Sequence, residues 1–169
     1  MQLMLLTLFD GTTVFVRPIV PEDKPLLVAG LRLLSPETAM KRFLSPKVKF
    51  SAAELRYLTE VDQHDHIAYV AVDARDPSRL IAVARCVRTG PDVADVAVVV
   101  GDPWQGQGLG RRLMALLAER AAEEGITRFA GTMLADNRRA LRLMRGFELP
   151  LEHDVVSHGV RDVVTRLAA

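Results

Sequence analysis

Cysteine is almost missing from this chain. Cys86 stands alone among 169 residues, so no internal disulfide can form and a reducing, cytoplasmic setting is expected. No apolar run approaches the ~18 residues of a membrane-spanning helix, so no membrane partner is implied. The apolar start, Met1 to Phe9, lacks the basic opening and small-residue cleavage site of a signal peptide. Net charge is only +1 and there is no lysine-rich tail, so nothing points to a nucleic acid. Repeats, low-complexity tracts and linker-like stretches are absent too. Two phosphate-binding signatures are missing: no Gly-Lys-Ser/Thr closes a Walker loop, and the glycines near position 108 run G-x-G-x-G, not G-x-G-x-x-G.

What is present fits one domain over 1–169. Hydrophobic residues make up 49%, too many for a disordered segment, and a chain of this length buries roughly 70% of its unfolded surface. Leu3 to Leu8, an Asp10-Gly11 turn and Thr13 to Arg17 read as a hairpin. Pro21-Glu22-Asp23 starts a helix with its stripe at Leu26, Leu27, Leu31 and Leu34. Ser35-Pro36-Glu37 opens a second, through Phe43. Ser51 and Glu54 form a capping box for a third, to Glu60. Strands follow at 67–73 and 80–88, the latter holding Cys86 as a small core residue. Another is expected at 127–133. Asp136 or Asn137 then caps a helix to Arg145, ended by Gly146 in the usual C-terminal position. Two last strands, 147–156 and 160–167, flank a His158-Gly159 turn. This order gives an α/β (or α+β) fold with helices on both faces of one sheet.

The most informative stretch runs from Asp92 to Glu124. Asp95 to Val100 are mostly valine, as in a strand covered on both faces. Gly106, Gly108 and Gly110 mark a turn, and Leu113, Leu116, Leu117 and Ala121 then fall at helical spacing. A helix that starts in a glycine-rich turn presents unbonded N–H groups and its positive dipole end, which suits phosphate. Arg111 and Arg112 add charge beside it.

Gln105, Gly108 and Gly110 match Gln/Arg-x-x-Gly-x-Gly/Ala between a valine strand and a helix. This resembles the acetyl-CoA loop of the Gcn5-related N-acetyltransferase (GNAT) superfamily. Arg17-Pro18 with Glu22-Asp23, and Asn137, Ala140 and Gly146-Phe147, are similar to that superfamily's opening and last helix. Asp10-Gly11-Thr12, Arg17-Pro18-Ile19, Leu34-Ser35-Pro36-Glu37, Arg42-Phe43 and Asp62 look more narrowly like the catalytic domain of bacterial protein-lysine acetyltransferases. There that domain is often joined to a nucleotide-binding or acyl-CoA-synthetase-like one.

The resemblance implies a GNAT fold whose mixed sheet has a splayed central strand. It implies an acetyl-CoA site of Val98, Val99, Val100, Gln105, Gly106, Gln107, Gly108, Leu109, Gly110, Arg111 and Asn137. The family segment Ala-Glu-Phe-Ala-Val-Val-Val aligns with Ala94-Asp95-Val96-Ala97-Val98-Val99-Val100, which puts Asp95 in the general-base position; Asp92 is the nearer rival and reads as a turn residue. Asp62 and His66 are implied on the amine side. Met144 falls where many members carry a tyrosine acid, so no acid is visible. Asp62, His64, Asp65 and His66 are the only ligand-like cluster and no distant His or Cys completes it, so no metal is expected. The implied activity is direct acetyl transfer to an amine, first of all a protein lysine. A small amine, or a non-catalytic acyl-CoA-binding module, are the alternatives, and a homodimer is left open.

Overall fold

The structure is a computed structural model that describes residues 3–147 and 149–168. One eight-stranded sheet runs through it in the order β1-β2-β3-β4-β5-β6-β8-β7. Its strands are β1 (Met4–Thr7), β2 (Thr13–Pro18), β3 (His66–Asp73), β4 (Leu80–Arg88), β5 (Val93–Val100), β6 (Arg128–Leu134), β7 (Leu151–Ser157) and β8 (Val160–Arg166). All pairings are antiparallel except β5 with β6. That pair needs a crossover, supplied by the long helix between them. The helices are α1 (Lys24–Leu33), α2 (Pro36–Phe43), α3 (Ala52–Thr59), α4 (Leu109–Glu123) and α5 (Arg138–Arg145).

Strand alternation sorts the apolar residues onto two faces. On one, Leu113, Leu117 and Ala121 of α4 and Met144 of α5 pack on Ile67, Ala84, Cys86 and Phe129. On the other, Leu27 of α1 and Leu55 and Leu58 of α3 cover Ala68, Val70 and Val83. The expected helices on both faces are therefore present.

Local signals explain most boundaries. Ser51 accepts from the N–H of Glu54, whose carboxylate accepts from the N–H of Ser51, so the capping box is complete. Asn137, not Asp136, caps α5 through the N–H of Ala140 (3.1 Å). His158 and Gly159 both take positive φ, as a tight hairpin turn requires.

Several expectations need correction. The Pro21 start makes only a 3₁₀ turn, Pro21–Asp23, before α1 begins at Lys24. The reason is Asp23, which is 3% exposed. Its carboxylate grips Arg17 at 2.7 Å through both oxygens and also accepts from the N–H of Val20. The penultimate strand starts at Leu151, not Phe147; Phe147 instead meets Phe129 edge-on. Gly146 has φ −72°, so α5 does not end in a left-handed glycine.

The valine strand departs most. β5 pairs with β6 only at Val93, Ala94 and Asp95, opposite Arg128, Phe129 and Ala130. Beyond Asp95 the two strands separate, and Val96 to Val100 are half-buried instead of covered on both faces. This is the splay that the resemblance implied. It leaves a slot along one edge of β5 where backbone groups lack a strand partner.

Candidate active site

The slot ends at the glycine turn. A 3₁₀ turn, Asp102–Trp104, leads out of β5. Asp102 accepts from the N–H and hydroxyl of Ser35 (3.0 and 2.7 Å) and from Thr38 Oγ1 (2.7 Å), which pins the start of α2 beside the turn. Gln105 is committed inside the protein. Its Nε2 donates to the carbonyl of Val100 (3.0 Å) and to Thr38 (3.2 Å), and its Oε1 accepts from Arg139 (2.7 Å). It thus ties the end of β5 to α2 and α5.

Gly106 and Gly108 have φ of +74° and +81°, where a side chain is strained. Gly108 is the N-cap of α4. The first backbone bond into this helix from the turn is Arg112 N–H to the carbonyl of Gly108; among the described residues the N–H groups of 106–111 make no backbone bond. This array, at the positive end of a 15-residue helix, suits a diphosphate. Arg111 is exposed beside it. Arg112 is not available, since it donates to the carbonyl of Thr7.

Three sequence-predicted positions act differently from a direct ligand contact. Leu109 is 1% exposed and belongs to the core, so only its N–H faces the turn. The Gln107 side chain accepts from the N–H of Asp10 (2.9 Å), which draws the β1–β2 hairpin against the turn. The Asn137 side-chain oxygen is spent on capping α5. Gly110 lies where α4 nears α5; a Cβ there would meet Leu143 at 3.5 Å. Val98 and Val100 turn toward the α4 side and Val99 toward the α1 side. Their backbone lines the slot.

On the α1 side of the sheet, a cleft of about 320 Å³ lies between the sheet and the segment from α2 to α3. Asp95 lines it, with Phe43, Phe50, Tyr57 and Leu58 around it. Its carboxylate accepts no hydrogen bond among the described residues. Asp95 is solvent-exposed at the edge of the cleft; the partial desolvation it still meets there, and secondarily the nearby Asp162, raise its pKa above the ordinary carboxylate value. Asp92, its rival, is tied up: it accepts from Thr127 Oγ1 (3.0 Å) and pairs with Arg128 (3.1 Å).

The structure does not bring Asp62 to the cleft. Its Oδ1 accepts from the N–H groups of His64, Asp65 and His66, all at 2.9 Å, so it shapes the loop before β3. His66 sits behind the cleft against Tyr57, with ring centroids 5.0 Å apart and the ring planes tilted by 46°. Its Nε2 lies 2.9 Å from Nη1 of Arg85, which can only donate, so the ring accepts and is neutral. Burial, and then the Arg85 charge, lower its pKa to about 4. Cys86 is 1% exposed on the opposite face, where burial pushes its thiol up to about 12, so it is no nucleophile at neutral pH. Met144 is packed against Gly131 and offers no proton. The sequence reading passed over Arg85; the signal was a lone charge inside the apolar run Leu80–Arg88.

A glycine turn at a helix start, a strand that splays from its parallel neighbour, and a carboxylate where they part are the arrangement that the resemblance implied for an acetyl-CoA site. The family comparison agrees: residues 37–147 match the acetyltransferase (GNAT) family. The chain belongs to that family, and the domain is an N-acetyltransferase by class. It is similar to Acetyltransferase Pat of Mycolicibacterium smegmatis, 39% identical over 137 residues, which span 79% of this chain and 40% of that protein. The chain thus spans less than half of that relative. It is also similar to Acetyltransferase PA5475 of Pseudomonas aeruginosa, at 32% over 136 residues, covering 78% of this chain and 72% of the relative. Among solved structures, the GNAT domain of S. lividans PAT superposes with a TM-score of 0.87 at 29% identity, covering 98% of this chain and 97% of that one.

Proposed function

We propose that the domain transfers an acetyl group from acetyl-CoA directly to the side-chain amine of a protein lysine. The observation that carries this reading is the carboxylate of Asp95. It stands without a hydrogen-bond partner among the described residues, in a cleft, at the last position where β5 still pairs with β6. The likeness to the two Pat proteins supports a protein acceptor.

Acetyl-CoA, when bound, supplies an acyl group already activated as a thioester, so no protein nucleophile is required. The residues present fit it. The N–H groups of 106–111 would hold the diphosphate, and the unpaired edge of β5 beyond Asp95 would offer backbone donors and acceptors to an extended chain. The remaining obstacle is the amine. With a pKa of about 10.4 it is deprotonated about once in 2,500 at pH 7, a cost near 4.6 kcal/mol. Asp95 accepts that proton, directly or through water. Its raised pKa makes it a better acceptor than an ordinary aspartate. His66, held neutral behind Arg85, helps shape the wall of the acceptor cleft.

The test is release of coenzyme A thiol from acetyl-CoA with a panel of lysine peptides, polyamines and free amino acids. Turnover on lysine peptides is expected. Turnover on small amines alone would replace the acceptor class, and no release with any amine would leave a binding module.

A further inference from the structure

Arg85 is 5% exposed, an unusual state for a guanidinium, whose burial costs several kcal/mol unless it is paired. No carboxylate pairs with it here. Its Nη1 donates to the carbonyl of Leu58 (3.0 Å) and to His66 Nε2 (2.9 Å). Its Nε is buried with no partner, and Nη2 makes no hydrogen bond among the described residues. Arg42, from α2, lines the same cleft and adds a like charge; its guanidinium lies 4.8 Å from the Phe43 ring centre and forms no ion pair among the described residues. Burial, and then Arg42, lower the Arg85 pKa to about 10, and burial lowers that of Arg42.

The other charges on the cleft leave this pair unanswered. Glu54 is held by Lys47 and by the N–H of Ser51. Asp95 accepts no hydrogen bond from either arginine. His66 is neutral. Two guanidiniums with unused donors therefore line one cleft whose own carboxylates leave them unpaired, and a carboxylate takes such donors with two parallel hydrogen bonds. Arg85 stands opposite Ala97, two residues along the same strand face from Asp95, or about 7 Å. An anion seated on Arg85 thus lies within one side-chain length of the base.

We propose that Arg85 and Arg42 form a carboxylate subsite of the acceptor cleft, so that the preferred acceptor is a lysine flanked by glutamate or aspartate. This rests on the lysine reading above. The carboxylate belongs to the acceptor because the subsite shares its cleft with Asp95, while the glycine turn lies past the other end of β5.

The test uses two terminally blocked peptides that differ only in Glu or Gln beside the lysine. Wild type is expected to favour the Glu peptide by about tenfold in kcat/KM, mostly through KM. The preference disappears in Arg85→Gln and shrinks in Arg42→Gln, whose α2 position is more tolerant of change. Equal use of both peptides by wild type overturns the subsite and leaves lysine acetylation standing. A carboxylate requirement that appears in the acyl donor instead, with succinyl-CoA preferred to acetyl-CoA, overturns its placement. If neither peptide is acetylated, the lysine reading falls, and the subsite is read without turnover. The Nε–Hε NMR signal of Arg85 is expected to shift saturably as wild-type protein is titrated with glutarate, and no shift overturns it.

Discussion

Replacing Gly108 with alanine probes the turn through two separable quantities. Gly108 has φ +81°, and an added Cβ would lie 2.9 Å from Cζ of Phe9. The side chain therefore aims at Phe9 and not into the space before the N–H groups. The Phe9 ring is 83% exposed and can swing aside at little cost. The backbone cannot escape so easily: a non-glycine residue in the left-handed region costs about 1–2 kcal/mol. At this chain length each kcal/mol lowers Tm by roughly 2–4 °C, so a drop of roughly 2–8 °C is expected by calorimetry. Relief of that strain tilts the turn and misaligns the N–H groups of 106–111. Acetyl-CoA affinity should fall at least tenfold, about 1.4 kcal/mol, by titration calorimetry. Putting Gly108→Ala into a Phe9→Ala background separates the causes. If strain governs, the Tm loss persists; full recovery would assign it to the ring. Unchanged Tm and unchanged affinity in the single variant would refute both the backbone assignment and the phosphate role.

Asp23→Ala removes both hydrogen bonds to Arg17 and leaves the Val20 N–H without its acceptor; with Arg17 still 23% exposed, the loss is set at about 2–3 kcal/mol, read as a roughly 5–10 °C fall in Tm. Cys86→Ala should leave turnover unchanged, and mass spectrometry after incubation with acetyl-CoA should find no acetyl group on Cys86; an acetylated Cys86 that an amine discharges would refute direct transfer. Asp95→Asn should melt slightly above wild type at pH 7. A raised folded-state pKa means that the ionised form weakens the fold above the unfolded value near 3.9, so the gap should close as pH falls below about 4. A gap that widens in acid would reverse the assigned direction.

Local rules made much of the fold legible. The Ser51–Glu54 box, the Asn137 cap and the strand Leu80–Arg88 follow from short-range pattern, and the structure keeps them. Pattern failed where the answer lay in a missing or distant neighbour. A valine run cannot show that its partner strand leaves after three residues, so β5 read as covered when it is open. Asp23 looked like a first-turn acid because its true partner, Arg17, lies on the preceding strand. Arg85 carried no motif at all; only the packing of α2 and α3 over β4 shows that its charge is buried and unpaired. Asp95 was proposed by resemblance alone, whereas what occupies its rival Asp92, the contacts with Thr127 and Arg128, needed the fold.

The central claim is that Asp95 takes the proton from the attacking amine. It is tested most directly by the pH dependence of turnover in Asp95→Asn, with acetyl-CoA affinity measured alongside. Asparagine keeps the size of the side chain and cannot accept the proton, so kcat should fall by about 10²–10⁴ near neutral pH while acetyl-CoA affinity stays nearly unchanged. The deficit should narrow as pH rises toward the amine pKa of about 10.4, because the acceptor then arrives deprotonated. Full activity of Asp95→Asn across the pH range would contradict the account.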